Sequence, residues 1–321
     1  MARALLEVDN VSKIYSVGFI RKRYIEAVRS ISFIIPDKGA FIGLVGESGS
    51  GKTTIARMIL GLINPSSGEI RYKGRNIFRL SKEEWIEYRK NVQPVFQDPY
   101  NAYNPFYRID RVLRIPIRTF RLASSKEDAE KLIEEAMMAV GLRPEDILGR
   151  YPHQLSGGER QRIMLARLHI IKPRLIVADE PLSMVDVSLK ARFLNELLKF
   201  KKAYGTSCLY ITHDLSEAYY ISDTLMVLCR GRIVERGPTD SIINNPAHPY
   251  TRMLLNSIPI PDPERRWRER IIPKVITGPS RHARGCVFYD NCRFRKERCL
   301  KEEPYLVEIE HNHEVACYLY T

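Results

Sequence analysis

The chain has 321 residues, enough for one large or two modest domains with a hydrophobic core. Its composition, 44% hydrophobic and 28% charged, is that of an ordinary globular protein and excludes a low-complexity chain. The net charge of +13 (51 Lys and Arg, 38 Asp and Glu) indicates an acidic partner or a charge-rich thermophile surface. The acidic partners considered are nucleotides, nucleic acid and an anionic membrane face.

The N-terminal stretch "MARALLEVDN" meets Glu7 and Asp9 too early for the apolar region of a signal peptide. No run reaches the ~20 apolar residues that a membrane span needs. We therefore expect a cytoplasmic protein, with any membrane spans supplied by another subunit.

In chain order, residues 5–45 alternate short apolar runs with turn residues, which predicts β-rich structure. Helical periodicity follows Gly51, stops at the turn "NPSSG", and dominates again from about 108 to 170. Two buried strands, "RLIVADEP" and "TSCLYITHD", flank a helix near 188–203, and a hairpin, "TLMVLCRGRIVERGP", ends near 240. The pattern predicts an α/β core interrupted by a helical insertion and followed by a C-terminal appendage.

The stretch "GESGSGKT" fits the phosphate-loop pattern G-x-x-x-x-G-K-[ST], between an apolar strand (41–45) and a helix. Glycines let backbone N–H groups turn toward phosphate oxygens, and the helix start adds its positive dipole end. We expect Lys52 to reach the β and γ phosphates and the Thr53 hydroxyl to ligate Mg²⁺. The predicted nucleotide-binding residues of this loop are Gly46, Glu47, Ser48, Gly49, Ser50, Gly51, Lys52, Thr53 and Thr54.

Two acids, Asp179 and Glu180, end the buried strand "RLIVADEP". Adjacent carboxylates at a strand end each need a partner or water, which favours a functional role. Asp179 is predicted to hold Mg²⁺ through water and Glu180 to polarise the water that attacks the γ phosphate. The next strand ends in "ITHD", which places His213 at the same sheet edge, where a γ-phosphate contact is favoured over a structural role. The predicted catalytic residues are thus Lys52, Glu180 and His213.

A second glycine-rich turn, "LSGGERQR", precedes a predicted helix and resembles the signature of ATP-binding-cassette (ABC) ATPases. The resemblance covers about residues 5–240 and every motif in order. It implies a P-loop NTPase core with an N-terminal antiparallel β-subdomain and an inserted α-helical subdomain at about 98–172. The implied domains are 1–240, the nucleotide-binding domain, and 241–321, a small cysteine-rich extension.

By the same resemblance, further residues match positions of the family that contact nucleotide or magnesium. Tyr15 matches the aromatic that stacks on adenine, and Gln97 matches the Mg²⁺-binding glutamine between core and helical subdomain. Asp186 ends "SMVD", where the family usually has S-A-L-D, and His213 matches the switch histidine. In the family, two cassettes pack head to tail, so Ser156, Gly157 and Gly158 are expected to bind the γ phosphate held by a partner cassette. Glu159 departs from the commoner glutamine.

Two stretches resemble the ATP-binding subunits of dipeptide/oligopeptide importers: "VFQDPYNAYNP", which contains Gln97, and "NNPAHPYTRMLLNSIP" at 244–259. Structurally, the His-Pro-Tyr of the second stretch predicts only a turn before a helix. The resemblance implies an ATPase that powers import of di- or oligopeptides, or of oligosaccharides, at the cytoplasmic face of the membrane. Implied partners are a second, different cassette, two membrane-spanning permease subunits and, indirectly, an extracellular binding protein.

The tail carries Cys286, Cys292, Cys299 and Cys317, spaced by five, six and seventeen residues. Disulfides are disfavoured in a cytoplasmic protein, and zinc sites usually show C-x₂₋₄-C knuckles, which are missing from this tail. An iron–sulfur cluster tolerates irregular spacing, and the pattern resembles the [4Fe–4S] site of the peptide-importer subunits. The iron–sulfur interpretation is favoured, with zinc and disulfide or free thiols as alternatives. Cys208 and Cys229 lie in apolar strands and are predicted to be core thiols.

The alternative function is a soluble ABC ATPase that acts on nucleic acid, which the basic charge and the Arg-rich stretches 264–270 and 292–299 favour. The importer-like stretches and the lack of a second cassette in the chain argue against it, so no nucleic-acid partner is expected. For the importer, we predict that the permease subunits contact residues 103–118, with Tyr103 and Phe106 as anchors.

Overall fold

The structure is a computed structural model that describes residues 4–18, 22–37, 39–96, 103–183, 187–257 and 285–321. Its strands are, in chain order, β1 (Ala4–Val17), β2 (Arg23–Pro36), β3 (Phe41–Val45), β4 (Ser67–Tyr72), β5 (Arg75–Asn76), β6 (Val92–Val95), β7 (Leu175–Asp179), β8 (Ser207–Thr212), β9 (Thr224–Cys229), β10 (Arg232–Pro238), β11 (Val307–Glu310) and β12 (His313–Val315). Its α-helices are α1 (Lys52–Ile59), α2 (Lys82–Asn91), α3 (Asp110–Phe120), α4 (Lys126–Ala139), α5 (Pro144–Ile147), α6 (Gly157–Ile171), α7 (Val187–Tyr204), α8 (Leu215–Ile221), α9 (Thr239–Asn244), α10 (Pro249–Asn256) and α11 (Arg298–Lys301).

The N-terminal strands form an antiparallel sheet in the order β2-β1-β4-β5. In β1, the side chains of Leu6, Val8 and Val11 are buried, whereas Glu7 and Asp9 between them are more exposed. This alternation is the pattern of a sheet with one face on a core and the other toward solvent.

The central sheet has the order β11-β12-β10-β9-β3-β8-β7-β6, and its strands β9, β3, β8, β7 and β6 are parallel. All five residues of β3 are buried, because a parallel strand in the middle of a sheet is covered on both faces. The carboxyl ends of β3, β7 and β8 therefore meet at one edge, where the phosphate loop, the paired acids and His213 follow them.

Two hydrophobic clusters cover opposite faces of this sheet. Along β7, Ile176 and Ala178 pack into a cluster with the helical insertion, and Leu175 and Val177 pack into one with α1 and the N-terminal sheet. The helical insertion, α3 to α6, thus lies on the face opposite α1. The predicted class, an ABC-type P-loop fold with an N-terminal antiparallel sheet and a helical subdomain, is confirmed.

The C-terminal residues extend the central sheet. Strand β12 pairs antiparallel with β10, with Arg236 opposite Glu314, and β11 pairs with β12. The described C-terminal residues 307–315 are therefore joined to the central sheet through backbone hydrogen bonds. The domain boundary at 240 stays a prediction. Within the described residues, no helix is both long and apolar enough to cross a membrane.

Candidate functional site

The phosphate loop joins β3 to α1 through backbone conformations that need glycine. Gly46 has φ 157° and Gly51 has φ 109°, and Gly51 caps the start of α1. A Cβ at Gly46 would lie 2.2 Å from the Leu228 carbonyl oxygen, and one at Gly51 2.3 Å from that of Ala27. The loop is therefore packed tightly against the neighbouring backbone, and larger residues at these two positions would distort it.

Lys52 is the buried cation of the site, with 4% of its surface exposed. Its Nζ donates to the carbonyl oxygens of Gly46 (2.7 Å) and Glu47 (2.9 Å) and lies 3.8 Å from Glu180 Oε1. Burial lowers the pKa of Lys52, and the nearby carboxylates, Glu180 first, oppose that shift. A buried ammonium with carbonyl acceptors inside the loop is suited to exchange them for phosphate oxygens.

Thr53, the residue after Lys52, contacts the first of the paired acids. The Thr53 hydroxyl donates to Asp179 Oδ1 at 3.2 Å. Burial raises the pKa of Asp179, with Glu180 raising it further, while the Thr53 hydrogen bond and Lys52 oppose the shift. A hydroxyl and a carboxylate side by side are hard oxygen ligands of the kind Mg²⁺ prefers, so these residues fit that ion.

Glu180 lies between the other two predicted catalytic residues, Lys52 and His213. One carboxylate oxygen faces Lys52, and the other lies 3.2 Å from His213 Nδ1. The backbone of Glu180 has φ 46°, a left-handed conformation that is strained for a residue with a Cβ. Its N–H donates to the Ile211 carbonyl of β8 at 2.8 Å, which ties the backbone of Glu180 to the central sheet. His213 is 54% exposed and stays open toward solvent.

The second glycine-rich turn forms the N-terminus of α6, as predicted. Ser156 caps the helix, since its hydroxyl accepts from the Glu159 N–H at 3.2 Å. Glu159 Oε2 in return accepts from the Ser156 N–H (2.7 Å) and hydroxyl (2.8 Å), which completes a capping box. These hydrogen bonds from Ser156 lower the pKa of Glu159. Ser156 and Gly157 are exposed, so an anion from outside can approach the start of α6, although Glu159 already occupies the Ser156 N–H.

Of the other residues predicted to contact nucleotide, the structure describes Tyr15 and Thr54. Tyr15 is half-buried on β1 opposite Ile25, and Lys13 Nζ lies 5.3 Å from its ring centroid. Thr54 lies in the first turn of α1. Gln97 and Asp186 lie outside the described residues, as does the Arg-rich stretch 264–270.

Sequence reasoning missed one contact of the phosphate loop. The Tyr250 hydroxyl, on α10, accepts from the Glu47 N–H at 3.0 Å, although the two residues are 203 positions apart. The His-Pro-Tyr stretch was predicted only to start a helix, and it does so with His248 as the cap. A tyrosine in a helix start carries no local signal of its distant partner.

The two predicted anchors of the permease contact, Tyr103 and Phe106, differ in exposure. Tyr103 is 4% exposed and its hydroxyl donates to the Arg160 carbonyl at 2.7 Å. The prediction that Tyr103 is a surface anchor is therefore wrong, because its ring packs into the core of the helical subdomain. Phe106 is 84% exposed and Tyr107 is 45% exposed, so aromatic surface remains beside it.

The four C-terminal cysteines line one cavity together with His248 and Phe288. None of the six cysteines, all of which the structure describes, forms a disulfide. Burial raises the pKa of Cys286 to about 12 and also raises those of Cys292 and Cys317. Burial likewise raises the pKa values of Cys208 and Cys229, which lie in core strands as predicted.

The donor chemistry of four thiols suits an iron–sulfur cluster. The cavity measures about 20 Å³. In the part of the chain that the structure describes, no group of three or more His, Cys, Asp or Glu side chains could hold a metal ion. This finding does not support the predicted [4Fe–4S] cluster, which stays a prediction that rests on four thiols lining one cavity.

A phosphate loop, a paired-acid strand end and a capped signature helix on a mixed sheet together define a P-loop nucleotide-binding protein. The sequence model of the family described as "ABC transporter" matches residues 28–183. A second, described as "Oligopeptide/dipeptide transporter, C-terminal region", matches residues 234–299.

Curated relatives and solved structures agree with these matches. The chain is 37% identical over 325 residues to the oligopeptide transport ATP-binding protein OppF of Haemophilus influenzae, covering 98% of this chain and 96% of that protein. It is 38% identical over 324 residues to the oligopeptide transport ATP-binding protein AppF of Bacillus subtilis, covering 99% and 98%. The dimeric ATP-binding cassette MJ0796 in a post-hydrolysis state with ADP and Pi superposes with a TM-score of 0.65 at 27% identity, covering 73% of this chain and 98% of that one.

The chain belongs to the ABC transporter family, as an ATP-binding subunit of the oligopeptide/dipeptide transporter group. It is an ABC ATPase. The predicted family is confirmed, and the comparisons add no support for an iron–sulfur cluster.

Proposed function

We propose that this chain hydrolyses ATP to drive import of di- or oligopeptides through a membrane transporter. Support for the substrate class comes from the names of the relatives and from the C-terminal region match at residues 234–299. Support for the reaction comes from one observation above all, the contact of Glu180 with both Lys52 and His213.

In this proposal, Lys52 and the loop N–H groups hold the β and γ phosphates. Thr53 and Asp179, which are already in contact, hold Mg²⁺ together with Gln97. The bound ion supplies charge neutralisation on the phosphates. A bound cation favours the carboxylate form of Asp179, so it would oppose the rise in pKa that burial causes.

Glu180 is the proposed general base for the attacking water, with His213 contacting the γ phosphate. The two carboxylate oxygens of Glu180 have different neighbours, a buried ammonium and an exposed imidazole. A carboxylate in this position is suited to accept the proton of the attacking water. The strained backbone of Glu180 fits a residue held for function.

Ser156, Gly157 and Gly158 are proposed to bind the γ phosphate of a partner cassette, with Asp186 at the same interface and Tyr15 on adenine. The exposed start of α6 supports this role, because the positive end of its helix dipole attracts an anion. The proposed partners are a second, different cassette and two permease subunits, with the chain peripheral on the cytoplasmic membrane face. No nucleic-acid partner is proposed.

The test is co-purification from detergent-solubilised membranes, followed by reconstitution into liposomes with the captured subunits and binding protein. We expect two membrane subunits, a second cassette and ATP hydrolysis that a peptide stimulates. The Lys52→Ala variant controls for contaminating ATPase activity. Capture of nucleic acid with no membrane subunit, or ATP hydrolysis that peptides leave unchanged, would contradict the proposal.

We also propose that the four C-terminal cysteines bind a [4Fe–4S] cluster as a structural staple. Support comes from their convergence on one cavity and from the small core of this segment. Iron and acid-labile sulfide are measured on the anaerobically purified chain, with Cys317→Ser as the test and Cys208→Ala as the control. We expect iron and sulfide that Cys317→Ser loses and Cys208→Ala keeps; a wild-type chain free of iron refutes the cluster.

A further inference from the structure

The first peptide group of the phosphate loop is held from both sides. It joins Gly46 to Glu47, and its carbonyl oxygen accepts from Lys52 Nζ at 2.7 Å. Its N–H donates to the Tyr250 hydroxyl at 3.0 Å. A peptide group is planar, so fixing the N–H also fixes the direction of the carbonyl that holds Lys52. Tyr250 thus helps to set the orientation of the acceptor of the phosphate-binding lysine.

Tyr250 is itself rigidly placed. It is 1% exposed, and its N–H donates to His248 Nδ1 at 3.0 Å in the cap of α10. Its ring packs against Phe288, with centroids 5.4 Å apart. Both rings belong to the hydrophobic cluster that contains Val45, the residue directly before the loop. The hydroxyl therefore has little freedom to leave the Glu47 N–H.

Phe288 connects this contact to the C-terminal segment. It follows Cys286 by two positions and lines the cavity of the four cysteines, as does His248. The Cys286 N–H donates to the Cys299 carbonyl at 2.8 Å, so the turn that carries Phe288 is tied to the rest of the segment. A continuous packed path therefore runs from residues 285–321 through Phe288 and Tyr250 to the phosphate loop.

We propose that Tyr250 is a positioning residue of the ATP site, through which the C-terminal segment 285–321 acts on ATP binding. The inference rests on the assignment of ATP to the phosphate loop. Tyr250 keeps the loop ordered before the nucleotide arrives, so little conformational entropy is lost on binding. Without the hydroxyl, the loop samples more conformations when free, and ATP must order it again.

The test is the Tyr250→Phe variant of the full chain, because it removes the hydroxyl and keeps the packed ring. We expect its Kd for ATP, measured by calorimetry with Mg²⁺, to rise roughly 2- to 10-fold, as the loss of one neutral hydrogen bond predicts. We also expect faster hydrogen exchange at the Glu47 amide. The matched control is Tyr88→Phe, which removes another buried hydroxyl, the one bonded to the Ile59 carbonyl in α1. Its Kd for ATP is expected to stay unchanged.

A second variant tests the path to the C-terminal segment. Phe288→Leu keeps an apolar side chain but removes the ring beside Tyr250, and we expect a rise in Kd for ATP in the same direction. Wild-type Kd values and wild-type Glu47 exchange in Tyr250→Phe would overturn the inference. Unchanged ATP binding in Lys52→Ala would instead overturn the assignment of ATP to this loop, so the two failures are distinguishable.

Discussion

A buried carboxylate, Glu235, joins the core to the C-terminal segment and offers a sharp test of how that segment is held. Glu235 lies on β10 with no exposed surface. Its two oxygens accept from the N–H groups of Ala247 (2.8 Å) and His248 (2.9 Å) and from His313 Nε2 (2.8 Å). One side chain thus satisfies donors from the chain before α10 and from β12.

The magnitude follows from these three donors. Each buried donor left without a partner costs about 1–3 kcal/mol, and removing one member of a buried polar pair costs about 3–5 kcal/mol overall. We expect Glu235→Ala to lower the free energy of unfolding by about 3–5 kcal/mol, out of the 5–15 kcal/mol typical of a protein. Glu235→Gln keeps one acceptor and is expected to cost about 1–3 kcal/mol.

The assay is urea unfolding followed by circular dichroism, combined with the rate at which a thiol reagent modifies the C-terminal cysteines. We expect modification to accelerate in Glu235→Ala, because Cys317 follows β12 by two residues. The matched control is Glu314→Gln on the same strand pair, which breaks a partly exposed ion pair with Arg236 and should cost at most ~1 kcal/mol. Equal losses in Glu235→Ala and Glu314→Gln would refute this account.

Three further changes test the site. Glu180→Gln removes the charge that faces Lys52 but keeps the side-chain shape, so ATP turnover should fall by at least ~10²-fold while calorimetry still detects ATP binding; turnover above a tenth of wild type would contradict the role. Glu159→Gln removes a negative charge beside Ser156, so ATP-dependent pairing with the partner cassette should strengthen roughly 2- to 5-fold. Ultracentrifugation measures this pairing. The pKa of Glu159 is lowered, so the contribution of its carboxylate to the stability of the fold is present above pH 4.5 and is lost as the pH falls further. The difference in urea midpoint between wild type and Glu159→Gln should therefore shrink below pH 4.5. A difference that grows would refute the lowered pKa. Phe106→Ala should abolish peptide uptake by the reconstituted transporter, and wild-type uptake would exclude Phe106 as an anchor.

The chemistry of the site was predictable because each motif is local. The phosphate loop needs glycines at positions of positive φ between a strand and a helix, and Gly46 and Gly51 have those conformations. Parallel strands end at one sheet edge, so the contact of Asp179 with Thr53 and that of Glu180 with His213 follow from strand order. The capping role of Ser156 likewise depends only on residues close in sequence, Ser156 and Glu159.

Burial and long-range contacts were decided only by the tertiary structure. An aromatic residue in a polar stretch fits a surface or a core, and the structure buries Tyr103 but exposes Phe106. The Tyr250 contact with Glu47 and the Glu235 contact with His313 join residues that are far apart in sequence. The sequence by itself determined the phosphate loop, the acids and the class of protein, since local geometry dictates those residue types. The packing of the sheet and the C-terminal segment decided which distant side chains hold the phosphate loop and the acids in place. The sequence alone could not decide this, because many different residues satisfy a buried donor equally well.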